Sequence, residues 1–346
     1  MATQVGARQK NELVEALLSG NRRALARMLT AVENEREGVQ EALAALFPHT
    51  GAAQVIGVTG APGTGKSTLV GALARGYRRR GQTVGILAID PTSPFTGGAI
   101  LGDRIRMSEL AGDSGVFIRS MATRGQLGGL ARATADAVRV LDAAGFQIVI
   151  VETVGAGQSE VDIAQTAQTT LVVEAPGLGD DVQAIKAGIL EIADILVVNK
   201  ADKPGAENTV RALKAMLELG HPAARHDMPR HHGQLLQRQP EPEAGQASHE
   251  LWMPPVIRTV ATTGDGIDDV IEAIDEHRRY LERDNLLARI ERRRLEAELH
   301  HRLREALIAR LLESVPEQAL SAMIERIQAR QITPHHAVNK LLDEAG

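Results

Sequence analysis

A chain of 346 residues with no cysteine excludes disulfide frameworks, zinc–thiolate and iron–sulfur centres, and thiol catalysis. A net charge of −5 leaves no cationic excess for tracking a nucleic-acid backbone, and residues that are 43% hydrophobic but only 2% aromatic favour the α/β class over a β-sandwich, because Val, Ile, Leu and Ala pack best as buried strands and helices. Residues 1–10 lack a basic segment followed by an apolar one, and no stretch reaches about 18 uncharged apolar residues, so the expectation is a cytoplasmic protein with no nucleic-acid and no membrane partner.

Taken in chain order, Leu13, Leu17, Leu18, Leu25, Met28, Leu29 and Leu43 recur at helical spacing, with a charged break near Val32 to Gly38, which predicts two helices before the first strand. Val55 to Val58 reads as a short buried strand, a glycine loop follows, and Ser67 to Arg80 reads as a helix ending at Gly81. Apolar runs at Val84–Ile89, Val116–Ile118, Phe146–Val151, Thr170–Val173 and Ile195–Val198 alternate with helical segments, the pattern of parallel βαβ units. Residues 221–250 are polar, rich in Pro and His and without period, so a surface loop is expected there. A last strand at Pro255–Val260 closes the core, and after Gly266 the chain turns helical, with Leu295, Leu299, Leu303, Leu307 and Leu311 in a stripe that either packs on the chain's own helices or forms a homodimer seam. The expected organisation is an N-terminal helical extension at 1–50, a P-loop core with a mainly parallel sheet at 51–267, and a helical arm at 268–346.

Four motifs carry chemistry. Gly60, Ala61, Pro62, Gly63, Thr64, Gly65, Lys66, Ser67 and Thr68 fit the phosphate loop G-x-x-x-x-G-K-[ST] and its following residue, in which glycines bring N–H groups to phosphates, the Lys reaches β/γ oxygens, and the Ser hydroxyl ligates Mg²⁺. Asn199, Lys200 and Asp202 stand directly after a strand as a base reader: an Asp carboxylate accepts from the guanine N1–H and exocyclic amine, which adenine does not offer, so GTP is preferred over ATP. Glu152 ends an apolar strand where an acid can hold Mg²⁺, and Gly155 can offer its amide to a γ-phosphate. Asp90 and Asp103 flank a glycine-bearing loop after another strand, placed either to reach that Mg²⁺ or to lie in a plain surface loop.

Together GAPGTGKST, DPTSPFTGGAILGDRIRM, FIRSMATRGQLGG, ETVGAGQSE, GDDVQAIKAGILEIAD and NKAD resemble the MeaB/ArgK/MMAA family of GTPases serving adenosylcobalamin-dependent acyl-CoA mutases, with the match strongest from Gly57 to Asp202. The resemblance implies a homodimer, GTP/GDP and Mg²⁺ as ligands, metal ligation by Ser67, Asp90, Asp103 and Glu152, and catalytic roles for Lys66, Glu152 and Lys186. It implies two nucleotide switches at Asp90–Met107 and Glu152–Glu160, and a third at Gly179–Ile189 in which Asp180, Gln183 and Lys186 signal to the mutase. It further admits an adenosyltransferase as a partner. Where the family has Ser-Ala before its last glycine turn, this chain has Val260, Ala261 and Thr262, so a backbone amide is left to meet guanine O6.

No Gln stands out by spacing as a water orienter, so intrinsic hydrolysis is expected to be slow and partner-dependent. The cobalamin-binding pattern D-x-H-x-x-G is absent, which puts the cobalamin site on the partner. His221, His226, His231 and His232 are read as a solvated loop rather than a metal site, Arg292 to Arg294 as a wet helix face among acids, and Arg124 has no assigned role. A P-loop kinase of a small metabolite shares the phosphate loop but leaves the guanine reader unexplained; a nickel-insertion GTPase would use the His-rich loop.

Overall fold

The computed structural model describes residues 11–91, 110, 112–123, 129–153, 159–177, 191–219 and 252–345. Seven strands, β1 (Gln54–Thr59), β2 (Val84–Pro91), β3 (Val116–Thr123), β4 (Ile148–Thr153), β5 (Thr169–Glu174), β6 (Ile195–Val198) and β7 (Val256–Arg258), form one sheet in the order β3-β2-β4-β1-β5-β6-β7. Every pairing between these strands is parallel. Strands β1, β4 and β6 are buried along their whole length, which is why they read as unbroken apolar runs rather than as an alternation.

The described helices are α1 (Arg22–Glu33), α2 (Val39–Leu46), α3 (Lys66–Arg79), α4 (Gly129–Ala143), α5 (Ser159–Thr166), α6 (Ala206–Leu219), α7 (Ile267–Glu282), α8 (Leu286–Ser314), α9 (Glu317–Gln328) and α10 (Pro334–Ala345). On one sheet face, Leu69, Leu73 and Tyr77 of α3 and Val270, Ile271 and Ile274 of α7 pack over Ile56, Val58 and Ile150. On the other, Met28 and Leu29 of α1, Leu46 of α2 and Val140 and Leu141 of α4 pack over Val55, Leu87 and Val149. Towards β6, Val210, Leu213 and Leu217 of α6 cover Leu196 and Val198.

Where leucine spacing predicts two helices in residues 8–47, the structure has three helical stretches: 11–18, α1 and α2. The additional break is made by Gly20, at φ +85°, and by Asn21, whose side-chain oxygen accepts from the N–H groups of Arg23 and Ala24 and caps α1. The chain forms two compact units, Met1–Asp284 and Asn285–Gly346. The first holds the sheet and α1 to α7; the second holds α8 to α10, where Leu295, Leu299, Leu303, Leu307 and Ile308 of α8 are all more than half exposed. Among the described residues, no helix is long and apolar enough to cross a membrane.

Candidate functional site

The chain leaves β1 for α3 and crosses to β2 on one side, whereas β5 continues to β6 on the other, so the carboxyl ends of β1 and β5 bound the crevice where ligands of doubly wound sheets bind. The phosphate loop sits there. At Gly60, with φ +139°, a Cβ would overlap the carbonyl oxygen of Val173 in β5. At Gly65, with φ +93°, it would stand 2.5 Å from Nδ2 of Asn199. Both positions therefore demand glycine on conformational and steric grounds. Helix α3 begins at Lys66, so its first N–H groups face the loop, the arrangement that favours an anion.

Lys66 and Ser67 are buried. Lys66 Nζ donates to the carbonyl oxygens of Gly60 at 2.8 Å and Ala61 at 3.0 Å, which holds the ammonium over the loop. Ser67 Oγ donates to Oε1 of Glu152 at 2.7 Å, so the hydroxyl at the start of α3 and the acid of β4, expected to share a metal, are in contact. Thr64 is buried and its hydroxyl donates to Ala61 O at 3.0 Å, closing the loop; Ala61 and Thr68 are half-buried, and Pro62 and Gly63 are exposed at the tip. On the opposite sheet face from Glu152, the hydroxyl of Thr153 donates to that of Thr59 at 2.9 Å.

Asn199 joins the phosphate loop to the segments expected to read the base. Its Nδ2 donates to Thr64 O at 2.9 Å, and its Oδ1 accepts from Thr259 Oγ1 at 3.2 Å and from the N–H of Ala261 at 3.1 Å. Lys200, at φ +56°, turns back so that Nζ donates to Gly63 O at 2.7 Å and its stem lies across the loop. The half-exposed Asp202 carboxylate lies 3.5 Å from Lys203 Nζ. In the segment expected to offer an amide to guanine, the N–H of Val260 is taken by Asp265 O at 3.0 Å and that of Ala261 by Asn199, while Thr262 is exposed at the rim.

The structure thus brings together Gly60 to Thr68, Glu152, Asn199, Lys200 and Val260 to Thr262, with Asp202 in the same loop as Lys200. Asp90 is the next-to-last residue of β2, two strands from β1; its side chain, like Asp103, Arg124, Gly155, Asp180, Gln183, Lys186 and the histidines at 221, 226, 231 and 232, lies outside the described residues. Among the described residues there is no cluster of three or more His, Asp or Glu able to hold a metal. Sequence reasoning missed Thr259, which helps to fix Asn199, and the Thr59–Thr153 pair. Threonine is an ordinary strand former, so neither announces itself; the one available signal is a hydroxyl residue at the end of each of two apolar strands.

A family model described as methylmalonyl-CoA mutase-associated GTPase MeaB matches residues 25–315. A putative GTPase of Pyrococcus abyssi is 47% identical over 334 residues, covering 96% of each chain. The GTPase ArgK of Escherichia coli is 37% identical over 267 residues, covering 76% of this chain and 74% of its own. Among solved structures, that of a LAO/AO transport system kinase superposes with a TM-score of 0.68 at 24% identity, covering 97% of both chains, a likeness of fold. With the phosphate loop and the Asn199–Asp202 segment joined in one crevice, the chain belongs to the MeaB family of methylmalonyl-CoA mutase-associated P-loop GTPases.

Proposed function

We propose that this GTPase gates the loading and protection of adenosylcobalamin on a B12-dependent acyl-CoA mutase of the methylmalonyl-CoA type. The observation that carries the proposal is the match to a mutase-associated family over residues 25–315, which takes in the phosphate loop, the base reader and much of α8. In this reading Asp202 accepts from the guanine edge, the Lys200 stem covers the ring or sugar, and the Thr262 amide is the one of its segment left to face O6. Lys66 turns from its carbonyl contacts to the β/γ-phosphate oxygens, and the α3 N-terminus receives the phosphates.

The Ser67–Glu152 pair suits Mg²⁺, since two oxygen donors in contact at a phosphate site are the ligand chemistry this ion takes. Asp90 and Asp103 would complete the set. Held by these residues, Mg²⁺ would supply positive charge to offset the charge that develops on the phosphate oxygens. Gly155 would follow the γ-phosphate, and Asp180, Gln183 and Lys186 would pass the nucleotide state to the mutase. A homodimer formed through α8, a cytoplasmic location and an adenosyltransferase as second partner complete the reading.

The test is GTP hydrolysis, with ATP as control, with and without a candidate mutase. Slow GTP-specific turnover that rises with the mutase and vanishes in Lys66→Ala is expected. Indifference to every adenosylcobalamin-dependent mutase, or stimulation by nickel or by a small phosphoryl acceptor, overturns the proposal.

A further inference from the structure

Backbone pairing between β1 and β4 ends at Val58 and Glu152. One residue further on, the two chains part: Gly60 opens the phosphate loop, and β4 ends at Thr153. At this fork the side chains of Thr59 and Thr153 continue the connection, with a hydroxyl–hydroxyl bond of 2.9 Å between residues that are 0% and 2% exposed. Water does not reach the pair to take its place. The neighbouring position on β1, Gly57, faces Ile163 and Ala167, so the pair lies on the α5 side of the sheet, whereas Glu152 points to the α3 side and meets Ser67. The end of β4 is therefore held from both faces: by Ser67 to Glu152 on one, and on the other by Thr59, the last residue of β1 before the phosphate loop, to Thr153.

We infer that Thr59 and Thr153 are positioning residues for the metal site, fixing the backbone that carries Glu152 so that its carboxylate stays in reach of Ser67 and a divalent cation. Neither touches nucleotide or metal. Their spacing makes the case: Thr153 follows Glu152 directly, so a shift of β4 away from Thr59 carries the carboxylate with it. A purely structural hydroxyl pair would be replaceable by two valines, which conserve shape and leave no orphaned donor, with little change in any property. A positioning pair gives a different result, because valines restore the packing but not the directional link.

The inference rests on the reading of Ser67 and Glu152 as Mg²⁺ donors, and the experiment separates the two. GDP affinity of the full-length protein is measured with a fluorescent GDP in EDTA and across a Mg²⁺ titration, alongside thermal unfolding. Thr59→Val combined with Thr153→Val should keep the melting midpoint and the GDP affinity in EDTA, while the Mg²⁺ concentration for half-maximal tightening rises on the order of tenfold, the size of one hydrogen bond of positioning. Thr153→Ser, which retains the hydroxyl, should behave as the parent. Ser67→Ala is the control for the metal reading and should also weaken the Mg²⁺ effect. A shift in Ser67→Ala beside an unchanged double-valine protein overturns the positioning role alone. No shift in either overturns the Mg²⁺ assignment as well, and equal weakening of GDP with and without Mg²⁺ in the double-valine protein assigns the pair to the fold instead.

Discussion

Asn199 is the side chain on which the two halves of the nucleotide site converge. It is 2% exposed, donates to Thr64 O in the phosphate loop, and accepts from Thr259 and Ala261 beside the proposed base reader. In a site with so little water, each lost partner leaves a polar group uncompensated. Asn199→Ala should cost about 2–4 kcal/mol of stability in chemical denaturation, from a cavity and the orphaned groups around it, and should weaken GDP binding, because phosphate loop and base reader then move independently. Unchanged GDP affinity would show that the two halves are aligned by something else. This role follows from contacts 62 and 135 residues away in sequence, which no local pattern expresses. The position of Asn199 directly after β6 was legible from the apolar run before it; the bonds that hold it in place were not.

The strands were the most legible elements, since apolar runs bounded by glycine, proline or acids mark buried parallel strands directly; β6 coincides with the predicted Ile195–Val198. Less legible were features made by one side chain, such as the Asn21 cap, and contacts between elements. Helix α7 shows the latter. Its His277 is fully buried against the start of β5 and β6: Nδ1 lies 2.9 Å from Thr169 Oγ1, Nε2 lies 3.7 Å from Asp194 Oδ1, and the rings of Trp252 and Tyr280 pack around it. Burial pushes the imidazole below its ordinary value, and Asp194 opposes the shift only in part. With the folded value depressed, the unfolded chain takes up the proton first on acidification. Stability is then full above the unfolded value of about 6.5 and falls as pH drops through it towards the folded value. The melting midpoint should decline from about pH 7 to pH 5, and His277→Gln should flatten that decline; a slope identical to the parent's would remove His277 as its origin.

At the scale of the molecule, two compact units divide the work expected of them: the first carries the nucleotide site, and the second carries α8 with its exposed leucines. Apolar residues scattered singly over a surface are ordinary, but Leu295, Leu299, Leu303 and Leu307 form an exposed row on one helix, the pattern of the homodimer seam proposed above. Leu299→Glu with Leu303→Glu should turn a dimer into a monomer in light scattering while leaving GDP affinity intact; a parent protein that is already monomeric would refute the seam.

The sheet's two margins differ. β7 offers three residues, whereas β3 is eight residues long and, among the described residues, paired on one side only. There Arg22 of α1 lays its guanidinium over Phe117 and donates to the carbonyl oxygens of Ser114 and Val116, at 2.8 and 2.6 Å, the acceptors an incoming chain would seek. The N-terminal extension thus occupies outward carbonyls at the start of β3 through a helix remote in sequence, and a strand adding at that margin would first have to displace Arg22.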